Sequence, residues 1–213
     1  PKSAGFKVLR EPDRLADPQT AVRILYDDNH LYFLIEAEAP KNAEVKTTAR
    51  ENGRQLFADS HIEIFLGNQK LDGKYYMLAF NWGGKTYQAW ARDAGGNNDF
   101  SIDTKPEIAL QTGSGMLTAE IKLPLDALGY GVTPDVLWKV NIGRSERISA
   151  EASQLSSLCD GAFHGSSQHW QMAFDGLSRR PLIDNGGFEL VDAPALRGQA
   201  DLDWVFPAGL APV

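Results

Sequence analysis

The chain has 213 residues, 43% of them hydrophobic, which is enough apolar material to bury a core and argues against a mainly disordered protein. The formal net charge is −7 and the arginines and lysines are scattered along the sequence, so no basic surface for a nucleic-acid backbone is predicted. No apolar run approaches the ~20 residues that cross a bilayer. The sequence therefore predicts neither a nucleic-acid nor a membrane partner.

Apolar and polar residues alternate in many short runs along the chain. The first two runs, 22–26 and 31–37, flank the polar segment 27–29, which predicts a β-hairpin. A helical turn is predicted only at 125–129, where a proline precedes the segment and a glycine ends it. Further alternating runs predict strands at 62–66, 75–81, 86–91, 107–110, 117–123, 137–142 and 170–174. Frequent short strands separated by turn residues predict an all-β fold, an antiparallel β-sandwich.

The composition changes towards the C-terminus. Residues 1–177 are predicted to form the sandwich, and DGLSRRPL (175–182) is a polar, basic segment that predicts a linker. Residues 178–213 are predicted to hold this linker and the start of a following domain, because LIDNGGFEL (182–190) resembles the opening strand of jelly-roll carbohydrate-binding domains. A C-terminal tail that packs on the first domain is the alternative. Since the chain starts without methionine or a leader, it is expected to be part of a longer protein.

Catalytic motifs are scarce. The triplet GKT (84–86) occurs in phosphate-binding loops, but the glycine required five residues earlier is Ala79, so a hairpin turn is predicted instead. Glu36 and Glu38 lie on one face of a predicted strand, about 6.5–7 Å apart, within the range of glycosidase carboxylates. Every strand with an E-x-E pattern has this separation, and a solvated sheet face explains it. The sequence therefore predicts a protein that is not an enzyme.

Cys159, His164 and His169 follow one another at five-residue intervals, and thiolate and imidazole groups are zinc ligands. The spacing departs from the common zinc motifs and no fourth ligand is evident. A loop whose histidines bond to the backbone or to a ligand is the alternative. Cys159 is the only cysteine, so an internal disulfide is excluded.

Four segments, each an alternating strand next to a turn or loop, follow one another in a recognisable order: AVRILYDDNHLYFLIEAEAP (21–40), DSHIEIFLG (59–67), MLTAEIKLPLDALG (116–129) and LWKVNIGRSER (137–147). Together they resemble the family 9 carbohydrate-binding modules and their relatives, over residues 20 to 174. The resemblance implies an antiparallel β-sandwich that binds a polysaccharide or oligosaccharide without catalysis. It also implies an appended module of a larger secreted bacterial protein, with a glycoside hydrolase or other domain in the same parent chain.

The resemblance also implies a sugar site. In sugar-binding members, one aromatic residue before the strand that matches IEIF and one in the loop before the last strand clamp a terminal saccharide. These positions are Phe57 and Phe163 here, where the best-studied members have tryptophan. A phenylalanine ring still offers a flat apolar face to the C–H groups of a sugar. If the two rings belonged to the core instead, the structural alternative below would be favoured.

The polar residues of the family's sugar site match this sequence less completely than the aromatic residues do. Glu63 and Asn141 match positions that bond sugar hydroxyls, whereas an arginine of the family is replaced by Ala79. Five further residues lie in the surrounding segments and are predicted to complete the rim of the site. The alternative for Trp82 is packing beside a hairpin turn, and the alternative for Arg144 is an ion pair with Glu146 or Glu120. The five residues are Arg50, Asn81, Trp82, Arg144 and His164.

Four further expectations accompany the resemblance. Such modules commonly carry structural calcium, and carboxylates at Asp27, Asp28, Asp59 and Asp103 could bind it, although no EF-hand loop is present. The expected location is extracellular, cell-surface or periplasmic. A structural or interdomain sandwich without sugar binding is the main alternative function. A haem-binding electron-transfer domain is a second alternative, with Met77 or Met172 and His164 or His169 as ligands, although no C-x-x-C-H motif is present.

Overall fold

The computed structural model describes residues 3–27, 29–41, 45–92, 98–113, 115–129, 136–147, 153–160 and 162–173. These residues form two antiparallel β-sheets that pack face to face. No helix within the described ranges has the length and apolar character to cross a membrane. Asp28 and the predicted linker and following segment at 175–213 lie outside the described residues.

The first sheet has five strands, in the spatial order β1-β3-β4-β9-β8, and every neighbouring pair is antiparallel. The predicted hairpin is its centre, because β3 and β4 pair from Thr20 opposite Ala37 to Tyr26 opposite Leu31. The strands are β1 (Ser3–Ala4), β3 (Thr20–Tyr26), β4 (His30–Glu38), β8 (Glu107–Gly113) and β9 (Met116–Pro124).

The second sheet has seven strands within the described residues, in the order β2-β11-β10-β5-β6-β7, with β12 also paired to β10. Strand β10 is long enough to pair along one edge with β12 through its first half and with β11 through its second half. The strands are β2 (Lys7–Val8), β5 (His61–Asn68), β6 (Lys74–Asn81), β7 (Thr86–Arg92), β10 (Leu137–Arg147), β11 (Ser153–Ser157) and β12 (Trp170–Ala173).

The main core lies between the two sheets and follows the two-residue period of the strands. In β5, for example, Ile62, Ile64 and Leu66 face the five-stranded sheet, where Phe33 and Ile35 of β4 project towards them. On the far side of the five-stranded sheet, Glu36 pairs with Arg23 and is part-exposed. The pair Glu36 and Glu38 therefore lies on a solvated sheet face, as the alternation predicts.

The predicted sandwich is confirmed, and strands form at all the predicted positions within the described residues. The predicted helical turn is a 3₁₀ helix, Asp126–Leu128, followed by Gly129 with a φ of 77°, a conformation that glycine adopts without strain. Gly84 and Lys85 of the GKT triplet lie in the hairpin turn between β6 and β7, as predicted, and Thr86 begins β7. Strand β11 was not predicted, because Leu155 is its only large apolar residue and its pairing with β10 holds it in place.

The seven-stranded sheet is buried on both faces at its centre. All eight residues of β5 are buried, and so are the seven residues that follow Lys74 in β6. Residues that face away from the main core form a second apolar cluster, which is covered by a 3₁₀ helix, Arg54–Ala58, and by Phe163. We call the side of the seven-stranded sheet that carries this cluster the outer face. It holds most of the predicted site residues.

Candidate functional site

Strand register places Glu63 at the centre of the outer face. Across the sheet, Glu63 of β5 lies opposite Ala79 of β6 on one side and Gly143 of β10 on the other. Tyr87 lies beyond Ala79, and Ser157 lies beyond Gly143. The two residues next to Glu63 have the smallest side chains, so the space beside its carboxylate is filled by groups from the covering segments.

Phe57 covers one side of this row. It belongs to the 3₁₀ helix Arg54–Ala58 and is half-buried. Its ring makes edge contacts with His61 and Tyr87, at centroid distances of 5.1 and 4.9 Å. Arg147 donates a hydrogen bond of 2.7 Å to the carbonyl oxygen of Phe57 and so anchors the backbone of the helix to β10.

Phe163 covers the other side of the row. A Cβ atom at Gly143 would lie 2.8 Å from two carbons of the Phe163 ring, so the ring occupies the space that a side chain at Gly143 would fill. The ring also packs at 6.1 Å from Phe65, and His169 Nε2 lies 2.9 Å from the Phe163 carbonyl oxygen. Only 6% of Phe163 is exposed. The predicted clamp residue is therefore a packed ring in this structure, and only Phe57 of the two keeps an accessible part.

Glu63 and His61 form a buried polar pair between these rings. His61 Nε2 lies 3.2 Å from Glu63 Oε1, and His61 Nδ1 lies 2.8 Å from the carbonyl oxygen of Asp59. A carbonyl oxygen only accepts hydrogen bonds, so Nδ1 carries the hydrogen in this contact. The Glu63 side chain is 8% exposed, and its second oxygen has no partner among the described residues. That oxygen is not one of the fully buried atoms that lack a partner, so it stays open to solvent and can accept a hydrogen bond from a ligand.

Asn141 lies on the same face, two residues before Gly143 on β10. Its Oδ1 accepts hydrogen bonds from Ser157 Oγ at 2.9 Å and from the backbone N–H of Cys159 at 3.2 Å. Its Nδ2 is fully buried and has no partner within the described ranges. The outer face thus holds an unused donor as well as the unused acceptor on Glu63.

His164 and Asn81 lie at the margins of this face. His164 is exposed, and its Nδ1 lies 2.7 Å from the hydroxyl of Tyr75. Asn81 is fully buried: its Nδ2 donates to Asp59, and its Oδ1 accepts from the backbone N–H groups of Gly83 and Lys85. These bonds shape the turn between β6 and β7, which leaves Asn81 a structural role. His164 is the one of the two that can contact a ligand.

Two predicted rim residues lie on the opposite side of the sheet. Arg144 alternates with the core residues Val140 and Ile142, so it projects between the two sheets, where it is 1% exposed and ion-pairs with Glu146 at 2.6 Å. Trp82 is buried in the main core, where its ring makes an edge contact with Phe80. Neither side chain reaches the outer face. Both residues have the alternative roles named from the sequence: Arg144 forms an ion pair with Glu146, and Trp82 packs in the core next to the turn between β6 and β7.

Comparison with solved structures identifies the fold. The chain superposes on a candidate carbohydrate-binding protein from Bacteroides uniformis with a TM-score of 0.68, at 12% identity over 82% of this chain and 86% of that one. It also superposes on a carbohydrate-binding module of family 9 from Caldicellulosiruptor kristjanssonii. The glucose complex gives a TM-score of 0.58 at 14% identity, covering 83% of this chain and 87% of the module. The cellotriose complex gives 0.59 at 14% identity, covering 88% of each.

The chain has the family 9 carbohydrate-binding-module fold. No protein-family model matches the sequence, and a search of curated proteins finds no match. At identities of 12–14% the likeness concerns the path of the chain and not the identity of the site residues.

The metal predictions find no support in the described part of this family 9 fold, which brings no three His, Cys, Asp or Glu residues together. Asp59 is typical of the calcium candidates, since its oxygens accept hydrogen bonds from Thr48, Ala49 and Asn81. Burial by itself raises the pKa of Asp59, but these hydrogen bonds outweigh it and hold the pKa below its usual value. Asp27 and Asp103 also accept local hydrogen bonds. A calcium ion stays a prediction that these contacts do not favour.

Cys159 and the methionines are enclosed in the family 9 fold. Burial raises the pKa of the Cys159 thiol to about 12, and its Sγ lies 3.5 Å from the carbonyl oxygen of Val140, to which it donates. Met172 lies in the main core, and Met77 lies in the outer-face cluster. Both are packed among apolar residues. This packing gives no support to the zinc or haem alternatives.

Three aromatic or polar residues near the site escaped the sequence reasoning. The two-residue period of a strand is enough to find His61 and Tyr87. His61 lies two residues before Glu63 in β5, and Tyr87 lies two residues before Ala89 in β7, so each projects to the same face as that residue. Phe100 cannot, because it lies outside the named strands, in a segment that the fold brings beside Tyr87. The surroundings of Glu63 thus contain more aromatic surface than the two predicted clamp positions supply.

Proposed function

We propose that this protein binds a saccharide on the outer face of the seven-stranded sheet without catalysing a reaction. Glu63 accepts hydrogen bonds from sugar hydroxyls, Phe57 provides the stacking face, and His164 lies at the rim. The observation that carries the proposal is the Glu63 carboxylate, which lies between aromatic rings and uses only Oε1 for its contact with His61, so that Oε2 is left for a ligand.

Unpaired polar groups in a desolvated layer cost about 1–3 kcal/mol each, so proteins keep few of them without a reason. Sugar hydroxyls both donate and accept, and the C–H groups of a sugar ring pack on aromatic faces. A saccharide can therefore donate a hydrogen bond to Glu63 and stack on the accessible part of Phe57 at the same time. The known complexes of this fold with glucose and cellotriose support this ligand class.

The setting of this binding is also part of the proposal. The chain acts as an appended module of a larger secreted bacterial protein that degrades polysaccharides. A tethered module raises the effective concentration of its neighbouring domain on the polymer. The fold shared with carbohydrate-binding modules supports this role.

A second function, a structural module without sugar binding, is favoured by a different observation. Phe163 is 6% exposed and Asn141 is fully buried, so two of the predicted site residues are packed rather than open. Ala79, which stands where sugar-binding members have an arginine, is also fully buried. Under this alternative the outer-face cluster serves as a second small core.

Calorimetric titration with glucose and cellotriose separates the two functions. We expect saturable binding with a dissociation constant on the order of 10 μM to 1 mM, the range of sites with few stacking rings. Glu63→Gln should weaken it about 10-fold to 150-fold, because a hydrogen bond to a charged acceptor is worth roughly 1.5–3 kcal/mol. Glu36→Gln, on the solvated face of the other sheet, is the matched control and should bind normally. A folded wild-type chain that binds neither these sugars nor any glycan of an array would favour the structural function.

A separate assay tests the absence of catalysis. Incubation of the chain with a panel of plant and algal polysaccharides should release no reducing sugar. The two carboxylates with glycosidase spacing are engaged elsewhere, since Glu36 pairs with Arg23 and Glu38 accepts a hydrogen bond from the Gln19 backbone N–H. Sustained release of sugar that disappears in Glu36→Gln or Glu38→Gln would contradict this prediction.

A further inference from the structure

A row of aromatic rings extends from the proposed saccharide site to the surface of the protein. Phe57 contacts Tyr87 at 4.9 Å between ring centroids, and Tyr87 contacts Phe100 at 5.6 Å, both in edge-to-face geometry. Phe100 is 54% exposed, which makes it one of three exposed large hydrophobic residues among those the structure describes. The row therefore starts beside Glu63 and ends in solvent.

The backbone around Phe100 is held firmly despite this exposure. Asp99 forms a two-bond bridge with Trp90 at the free edge of β7, with N···O distances of 2.8 and 2.9 Å. The Asp99 carboxylate also accepts a hydrogen bond from the backbone N–H of Ser101. On the other side of Phe100, Asn98 donates a hydrogen bond of 2.7 Å to the Tyr87 hydroxyl. A ring fixed in this way loses little conformational freedom when a ligand stacks on it.

Arg54 supplies polar groups next to the exposed ring. Its guanidinium carbon lies 5.7 Å from the centroid of the Phe100 ring, and the side chain is exposed. Arg54 and Phe57 belong to the same 3₁₀ helix, so one short element reaches both ends of the row of rings. The guanidinium group has five N–H donors that sugar hydroxyls can accept.

We infer that Phe100 and Arg54 form a second saccharide subsite, which takes the unit next to the one held at Phe57 and Glu63. The inference rests on the proposed function and adds a ligand class to it: an oligosaccharide of two or more units, preferred over a monosaccharide. Phe100 provides the stacking face, and Arg54 donates hydrogen bonds to hydroxyls of the same unit. Tyr87 joins the two subsites and is itself only 5% exposed.

Affinities for glucose and cellotriose, measured on the full chain, test this subsite. We expect the wild type to bind cellotriose about threefold to tenfold more tightly than glucose, which corresponds to one additional ring contact. Phe100→Ala should remove this preference and leave the glucose affinity within about twofold. Phe100→Trp should keep or increase the preference. Leu15→Ala removes another exposed apolar side chain, 63% exposed, and should change neither affinity.

The possible outcomes separate the subsite from the site on which it depends. If wild type binds glucose and cellotriose equally and Phe100→Ala binds both as wild type does, the subsite is refuted and the proposed function stands. If no variant binds either sugar, the proposed function itself fails. Loss of glucose binding in Phe100→Ala would also overturn the inference, because it would show that Phe100 supports the first site rather than a second one.

Discussion

Replacing Arg144 with alanine should lower the free energy of unfolding by about 3–5 kcal/mol, the cost of leaving one charge of a buried pair without its partner. Arg144 donates to Glu146 through Nε and Nη2, to the carbonyl oxygen of Glu38 in β4 of the opposite sheet, and to that of Gln19, the residue before β3. The Glu146 side chain is only 5% exposed, so its carboxylate stays buried when the arginine is removed. For a chain of this length the melting temperature should fall by about 6–20 °C.

Denaturant unfolding of three variants checks this expectation. Arg23→Ala breaks an ion pair of similar length, 2.7 Å, with Glu36, but these side chains are 32% and 23% exposed, so the cost should be about 1 kcal/mol or less. The double variant Arg144→Met with Glu146→Leu removes both buried charges and should recover part of the loss. A loss of about 1 kcal/mol or less in Arg144→Ala would show that Arg144 does not link the two sheets.

The second large effect is expected at Phe163. Phe163→Ala should destabilise the protein by about 3–5 kcal/mol, because it leaves a cavity over Gly143 beside Phe65. Phe57→Ala should cost about 1–2 kcal/mol, since the Phe57 ring is half-buried and the hydrogen bond from Arg147 to its carbonyl oxygen remains. Saccharide affinity should fall about tenfold in Phe57→Ala, through loss of a stacking face.

Thermal melting and saccharide titration of both variants distinguish the two roles. Phe163→Leu keeps most of the volume over Gly143 and should restore most of the stability that Phe163→Ala loses. If Phe163→Ala melts like the wild type but loses sugar binding, Phe163 is an open platform and not a packed ring. If both alanine variants are strongly destabilised, both rings belong to the core of the outer face, and the structural function is favoured.

The fold could be predicted from the sequence because the patterns that specify it lie within short segments of the chain. Alternation of apolar residues marks a strand through its two-residue period, and each turn carries its own glycine, asparagine or proline. The segments 22–26 and 31–37 predict the central hairpin for this reason, and β3 and β4 form it. Strand β11 carries no such pattern, since four of its five residues are Ser or Gln, and its pairing with β10 decides it.

Only part of the candidate site could be predicted from the sequence. The two-residue period of β10 places Arg144 on the same face as Val140 and Ile142. Once these apolar residues are assigned to the core, the sequence therefore predicts that Arg144 projects towards it. The same period does not predict how much of a side chain is buried by other segments of the chain. Phe163 is buried because the fold lays its ring over a residue without a side chain, Gly143, twenty positions earlier in the chain.

The sequence by itself determined the class of fold, the central hairpin and the side of the sheet on which Glu63 and Asn141 lie, because these properties depend on the alternation of neighbouring residues. Only the tertiary structure decided which side chains meet. It placed Arg144 against the opposite sheet, put Phe100 beside Tyr87 and left Glu63 Oε2 without a partner among the described residues. These contacts join segments far apart in the chain, and their geometry depends on the packing of whole sheets and covering segments, which no local pattern records.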